Sequence, residues 1–378
     1  MEIQLPPDFP QSAVDQFDKL REKGLLFYFP SKGEVTNYQG FNFEFKISTS
    51  IAKKPVLSAD APERRGKGGP FVDPDPEFVV ARPGPDHVVE LSMHAMMRPH
   101  YVLHTRLFAP QTDDLDAGDW AATWAVMNAI DKSGSKPMMI YNCGYEGGAS
   151  QGHKHVQVFT EPEPGFPLFP ETALSLAGTA PSTSIIRHPD VPFEHFILPL
   201  IEPITPAYLL SIYQRLLAQV RRAHSEFTAA ANGVLEVSNG NKQPIVNGAN
   251  GTNGTNGKNE SNGAHAANSI TVNDIPSPLT ASSAMRPSLS HRSTGNGTDG
   301  HLKPSSDDLT PSTFANNVIM TKRWMCLVPR RRGGKDGTGA GSLGMMGLLW
   351  LKSQREREHW SELGMTEHLV WMGLPRTD

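Results

Sequence analysis

Cysteine is nearly absent, with Cys143 and Cys326 the only two in 378 residues. Two thiols cannot build a disulfide framework or a four-cysteine zinc site. Surplus charge of either sign is also lacking: 35 basic residues face 39 acidic ones, a net of −4. So weak a field excludes the strongly basic surface of a dedicated nucleic-acid binder. No apolar run approaches the roughly 20 residues that span a bilayer. The acidic, proline-containing start, Met1 to Pro10, does not read as a signal peptide. These absences predict a cytoplasmic or, alternatively, nuclear protein with neither membrane nor nucleic acid as partner.

Hydrophobic residues are sparse at 38%, against roughly 45% in an ordinary globular chain. Glycine (34) and proline (32) are plentiful. Most of the dilution sits in one stretch, from about Ser238 to Pro311, which runs NGNKQPIVNGANGTNGTNGKNESNG and continues in kind. It is dominated by Asn, Gly, Ser, Thr and Pro. Such a segment cannot bury enough apolar surface to offset its ordering entropy, so a disordered insertion is expected over 238–311. It separates an N-terminal region, 1–237, from a C-terminal block, 312–378, too short for a good core of its own. The block is expected to complete the fold of the first region. Long loops permit this, because each doubling of length costs only about 0.6 kcal/mol in closure entropy.

Three helices follow from apolar spacing and caps. Ala13 to Lys23 aligns Ala13, Phe17 and Leu20, with Gly24 as the stop. Ala117 to Lys132 has Asp116 as N-cap, and Tyr208 to His224 is opened by Thr205-Pro206. Phe41 to Ile47 alternates as a half-exposed strand does. His100 to Arg106, Met138 to Asn142, His153 to Thr160, Val318 to Met320 and Met325 to Val328 also read as strands. The expected class is α+β, an antiparallel sheet with helices packed on one face and the insertion interrupting it.

The most informative stretch runs from Tyr141 to Gln157, YNCGYEGGASQGHKHVQ. A strand ends at Asn142, a loop with Gly144, Gly147, Gly148 and Gly152 follows, and a second strand starts near His153. Alternation places His153, His155 and Gln157 on one strand face. Glycines let backbone N–H groups approach a phosphate, and Ser150 adds a hydroxyl. An imidazole beside such a cradle is placed to attack phosphorus and split one displacement into two. Two other chemistries fit parts of this pattern. His-x-His followed by Glu161 roughly resembles the first metal motif of cupins, and imidazole pairs bind transition metals. However, that Glu comes late, and no second-motif histidine is obvious downstream. A nucleotide-binding module with little turnover would use the same loop.

GGASQGHKHVQ closely resembles the active-site segment of fungal diadenosine tetraphosphate phosphorylases, the ATP adenylyltransferases of the histidine-triad superfamily, which are related to galactose-1-phosphate uridylyltransferase. Lys23-Gly-Leu-Leu-Phe27, Ala52-Lys-Lys-Pro55, Pro110-Gln-Thr-Asp113, Asn317 to Arg330 and Ser342 to Leu349 are similar to other parts of that family. The resemblance implies a histidine-triad-like fold and phosphorolysis of diadenosine tetraphosphate to ADP and ATP. It implies that His155 carries the adenylyl group, Gln157 meets the phosphoryl oxygens and His153 supports the nucleophile. Asn142, Gly148, Ala149, Ser150 and Gln151 would bind the nucleotide, and Lys54 the polyphosphate. Asn317, Thr321 and Met325 fall where the family shapes its pocket. The expected partners are a nucleotide or dinucleoside polyphosphate and inorganic phosphate. The expected cofactor is a divalent cation such as Mg2+, with no metal held by the protein's own site residues. Arg330-Arg331-Arg332 reads as a solvated charged loop. The sequence departs from the family at Ser92-Met93, where the family usually has Asn-Lys. A missing cation there predicts weaker binding of a highly charged substrate, or a different nucleotide or phosphoester as substrate.

Overall fold

Near-continuous apolar or buried residues over 137–143, 155–160, 316–320 and 324–329 give strands that are buried on both faces, and these form the centre of the molecule. The computed structural model describes residues 3–30, 32–52, 54, 57–162, 166–178, 183–240 and 314–376. Its helices are α1 (Phe9–Glu22), α2 (Thr49–Ala52), α3 (Ala117–Lys132), α4 (Phe169–Ala177), α5 (Pro206–Gly240), α6 (Ser342–Met345), α7 (Gln354–Glu362) and α8 (Met365–Met372). The first seven strands are β1 (Glu34–Tyr38), β2 (Phe41–Ile47), β3 (Val79–Ala81), β4 (His87–Leu91), β5 (His100–Thr105), β6 (Pro137–Cys143) and β7 (His155–Thr160). The remainder are β8 (Phe196–Pro199), β9 (Asn316–Met320), β10 (Trp324–Pro329), β11 (Gly334–Lys335), β12 (Thr338–Gly339) and β13 (Leu348–Leu351).

Eight strands form one sheet in the order β3-β4-β5-β7-β6-β9-β10-β8, with every pairing antiparallel. The fold is thus α+β. One face presents Tyr141, Val156, Val158, Met320, Met325 and Leu327 to α1, α3 and α5. Helices were expected on one face, and these three take it. The other face is not bare. Ile140, Phe159, Ile319 and Cys326 pack there against Phe43 and Phe45 of a small sheet, β1-β2-β13, and against α4, α6, α7 and α8.

Helix α3 has the expected bounds. The Asp116 carboxylate accepts from the Gly118 and Asp119 N–H groups, and Asp119 caps Asp116 N–H in return. Helix α1 starts four residues earlier than its apolar stripe suggests, because Pro10 suits a first turn. Helix α5 runs to Gly240, so residues 238–240 of the expected insertion are helical. Its remainder, up to residue 311, lies outside the described residues. Residues 1–238 and 310–378 form one compact unit, and β9 enters the sheet directly beside β6. Among the described residues, no helix is long and apolar enough to cross a membrane.

Candidate active site

His155 opens β7, where the register sets it opposite His104 of β5. Its side chain is only 5% exposed. The ring Nδ1 lies 2.9 Å from the carbonyl oxygen of His153. A carbonyl can only accept, so Nδ1 carries the proton and Nε2 the lone pair. No hydrogen bond engages Nε2 among the described residues. Burial pushes the His155 pKa down to about 3 against the opposing pull of the His153 carbonyl, and the Lys54 charge lowers it further. The ring is therefore neutral near pH 7, with a free nitrogen. That is the state a nucleophile needs.

Gln157 shares the face of His155. Its Oε1 accepts from His100 Nε2 at 2.9 Å, while His100 Nδ1 accepts the Met96 N–H at 3.3 Å. With the oxygen engaged, the Gln157 amide N–H groups are left for an anion. Burial, first, and then the nearby Lys54 ammonium push His100 down to about 3. Lys54 is itself depressed by burial, and no carboxylate pairs with it among the described residues. An uncompensated cation whose charge reaches both imidazoles favours an anion there.

The His153 ring turns elsewhere. Its Nε2–H donates to the carbonyls of Thr105 (2.8 Å) and Leu107 (3.2 Å). His153 therefore fixes the His155 ring through its main-chain carbonyl. Phe71 covers this corner, with ring centroids 4.6 Å from His104, 5.2 Å from His155 and 5.8 Å from His153.

The glycine loop is held from below. Asn142 Oδ1 accepts from the Ser342 N–H (2.8 Å), the Ser342 hydroxyl (2.7 Å) and Asn317 Nδ2 (2.9 Å). The Ser342 backbone donor fixes which Asn142 atom is oxygen, and Nδ2 is left without a partner among the described residues. Asn317 also donates to the Gly147 carbonyl at 2.7 Å and accepts from Arg330 at 2.5 Å. Its amide is fully used as a strut. Gly148 has φ +86, and a Cβ there would lie 2.9 Å from the Ala340 carbonyl oxygen; at Gly152 it would lie 2.1 Å from Arg64 Cα. The loop needs glycine for close packing as well as for any approach of phosphate. The buried Ala149 accepts from Arg64 at 3.1 Å, and Ser150 and Gln151 are half-buried in the same loop.

Three expectations change. Arg330 is not solvated: it is 1% exposed and donates to Asn317 and to the Arg332 and Met372 carbonyls. Burial pushes its pKa down to about 9. Arg331 and Arg332 are partly exposed and stack on Phe227 and Trp371. Met325 lies on the helix-facing side of the sheet, packed in that core, one residue out of phase with the active face. Thr321 sits at the β9–β10 turn, where its hydroxyl accepts from the Arg323 N–H, four residues along from Asn317. The structure does not bring Met325 or Thr321 to His155.

Two family models match the chain almost end to end. One, described as the Ap4A phosphorylase N-terminal domain, covers residues 2–172, and the other, the ATP adenylyltransferase C-terminal domain, covers 189–375. This chain belongs to the Ap4A phosphorylase family. Diadenosine 5',5'''-P1,P4-tetraphosphate phosphorylase 2 of Saccharomyces cerevisiae is 27% identical over 167 residues, covering 41% of this chain and 51% of the relative. Protein APA1 of the same yeast is 25% identical over 208 residues, 53% of this chain and 64% of that one. The aligned part thus spans about half to two thirds of these relatives. The crystal structure of yeast Ap4A phosphorylase Apa2 matches this fold with a TM-score of 0.65 at 20% identity, covering all of both chains. The same yeast protein in complex with Ap4A matches with a TM-score of 0.65 at 19% identity, also over both full chains. Both overlays show the family's fold.

Within that fold, sequence reading missed His100, His104, Gln111 and the buried Arg330. Pro110-Gln111 lies in a segment similar to the family, but the partners of the His100 Nε2 and of the Gln111 side chain lie 31 to 57 residues away. Among the described residues, no group of three or more His, Cys, Asp or Glu side chains is placed to hold a metal ion. The donor set does not fit a cupin centre, and His153 spends its Nε2–H on carbonyls.

Proposed function

We propose that this chain is an ATP adenylyltransferase that cleaves diadenosine tetraphosphate by phosphorolysis. His155 Nε2 attacks the α-phosphorus, an N–P bond forms, and the bond to the bridging oxygen breaks. ATP leaves with that electron pair. An oxygen of inorganic phosphate then attacks the same phosphorus, the N–P bond breaks back to Nε2, and ADP is released. Gln157 N–H groups and Asn142 Nδ2 donate to the phosphoryl oxygens, while Lys54 offsets charge on the chain of phosphates. A divalent cation such as Mg2+ would travel on the polyphosphate oxygens, since the site residues offer it no cage.

The observation that carries this reading is the single tautomer of His155, with Nδ1–H committed to His153 and Nε2 free. The test is to incubate Ap4A with phosphate and follow ADP and ATP by chromatography. A substrate labelled at the α-phosphate should also leave label on the chain, and His155→Ala should abolish it. His155→Gly should recover turnover when imidazole is added. Full labelling of the Ala variant would place the nucleophile elsewhere.

Ser92-Met93 supports a second reading, a family member with a different nucleotide or phosphoester substrate. Met93 is 47% exposed beside Phe27, whose N–H its carbonyl accepts. Ser92→Asn with Met93→Lys should lower the Michaelis constant for Ap4A, with a gain that shrinks as salt is added. Unchanged affinity would favour the second reading.

A further inference from the structure

Strands β6 and β7 pair regularly from Pro137↔Thr160 to Ile140↔Gln157. Two residues further on, the same register would set Asn142 opposite His155. There the ladder gives way to a side chain. Gln111 Oε1 accepts the His155 N–H at 2.7 Å, and its Nε2 donates to the carbonyls of Asn142 (2.8 Å) and His155 (3.1 Å). The Gln111 main chain is bound just as firmly. Its N–H donates to the Gly152 carbonyl, and its carbonyl accepts from Gly144 N–H and the Tyr141 hydroxyl. Only 3% of the residue is exposed.

A primary amide has the hydrogen-bonding groups of a peptide unit, so Gln111 substitutes for a backbone partner while holding the two strands one amide apart. The gap it keeps is flanked by Asn142, with its uncommitted Nδ2, and by His155, with its free Nε2. Resting on the adenylyl-transfer reading above, we propose that Gln111 is a positioning residue. Its side-chain amide sets the width of the gap in which the α-phosphate meets His155. It touches no reacting atom and acts through the backbone of both residues that do. Nothing in Gln111's own chemistry marks it out. Its role comes from being the spacer between the nucleophile and the loop that receives the anion.

A near-attack geometry tolerates little error, and a misplacement of about 1 Å costs on the order of a hundredfold in rate. Gln111→Met keeps the volume and removes all three side-chain bonds. Single-turnover adenylyl transfer from Ap4A to His155 should fall about a hundredfold, with the Michaelis constant changed less than threefold. Gln111→Glu keeps the acceptor for the His155 N–H and loses the donor to Asn142. It should fall at least tenfold, again in kcat, and it serves if the Met variant does not fold. A folded variant that transfers adenylyl at the wild-type rate, whatever its loss of thermal stability, overturns the proposal. If the wild-type chain does not turn over Ap4A, the phosphorylase reading fails instead. The spacer is then read from carbethoxylation of His155 by diethyl pyrocarbonate, followed by peptide mass spectrometry. Loss of the amide's hold on both strands in Gln111→Met should change that rate about tenfold, and an unchanged rate would overturn the proposal.

Discussion

His155 holds its Nδ1 proton against the carbonyl of His153, 2.9 Å away, within its own strand. The His155 tautomer is therefore set by backbone two residues upstream, not by another side chain. Replacing the His153 ring should leave that bond in place. His153→Asn is expected to keep most of the adenylyl transfer, within about tenfold, because what is lost is the pair of hydrogen bonds to Thr105 and Leu107 and the ring packing on Phe71. Loss of all labelling in a folded His153→Asn protein would show that the imidazole itself acts.

On the proposed adenylyl-transfer reading, Lys54 is the cation that meets the polyphosphate. Lys54→Ala should lower kcat/KM for Ap4A by roughly ten- to a hundredfold, matching a charge-assisted contact of about 1.5–3 kcal/mol. The wild-type advantage should narrow as ionic strength rises. Titrating kcat/KM against salt for both proteins checks this, and parallel curves would remove Lys54 from the site.

Four buried imidazoles are held neutral by desolvation: His100, His155 and His195 are pushed down to about 3, and His104 to about 4. Their folded values lie below the ordinary 6.5, so the unfolded chain binds more protons in acid. The stability they contribute is complete above pH 6.5 and is lost as pH falls toward their folded values. Between pH 6.5 and 5.5, each should cost about 1 kcal/mol. Urea unfolding at a series of pH values reads the slope, and a flat profile from pH 7 to 5 would contradict the burial of these rings.

Arg330 ties Asn317 and three carbonyls together, with no carboxylate partner among the described residues. Arg330→Met fills much of the space but strands those acceptors in a dry interior. A loss of about 3 kcal/mol is expected, lowering Tm by roughly 6–12 °C. Differential scanning calorimetry decides it, and a shift under about 2 °C would mean that water serves the same acceptors.

Much of the fold can be read from local pattern. Phe41–Ile47 shows alternation, and Asp116 announces α3 through its cap, because both depend on residues a few positions apart. His155 is legible for the same reason, since a glycine loop and a two-residue period define its face. Gln111, Arg330 and His100 are not legible. Their roles arise mainly from partners far away in the chain, such as Gln157, Asn142, His155 and Met372, that only folding brings near. Met325 shows how parity decides. Cys326, its neighbour, is the residue that faces the layer containing His155, and a one-residue step sends Met325 into the opposite core. The parallel pairing of β13 with β2 joins segments about 300 residues apart, so no periodicity announces it.

The β6–β9 junction has a consequence for how this protein must be made. The strand carrying Asn142 comes from the half matched by one family model, and its neighbour Asn317 from the half matched by the other. The small sheet is divided in the same way between β2 and β13. A polypeptide halted near residue 180 would present two raw sheet edges and a slab of uncovered phenylalanine, a template for aggregation. His155 therefore sits on a scaffold whose sheet edges are closed only by strands that lie after residue 315.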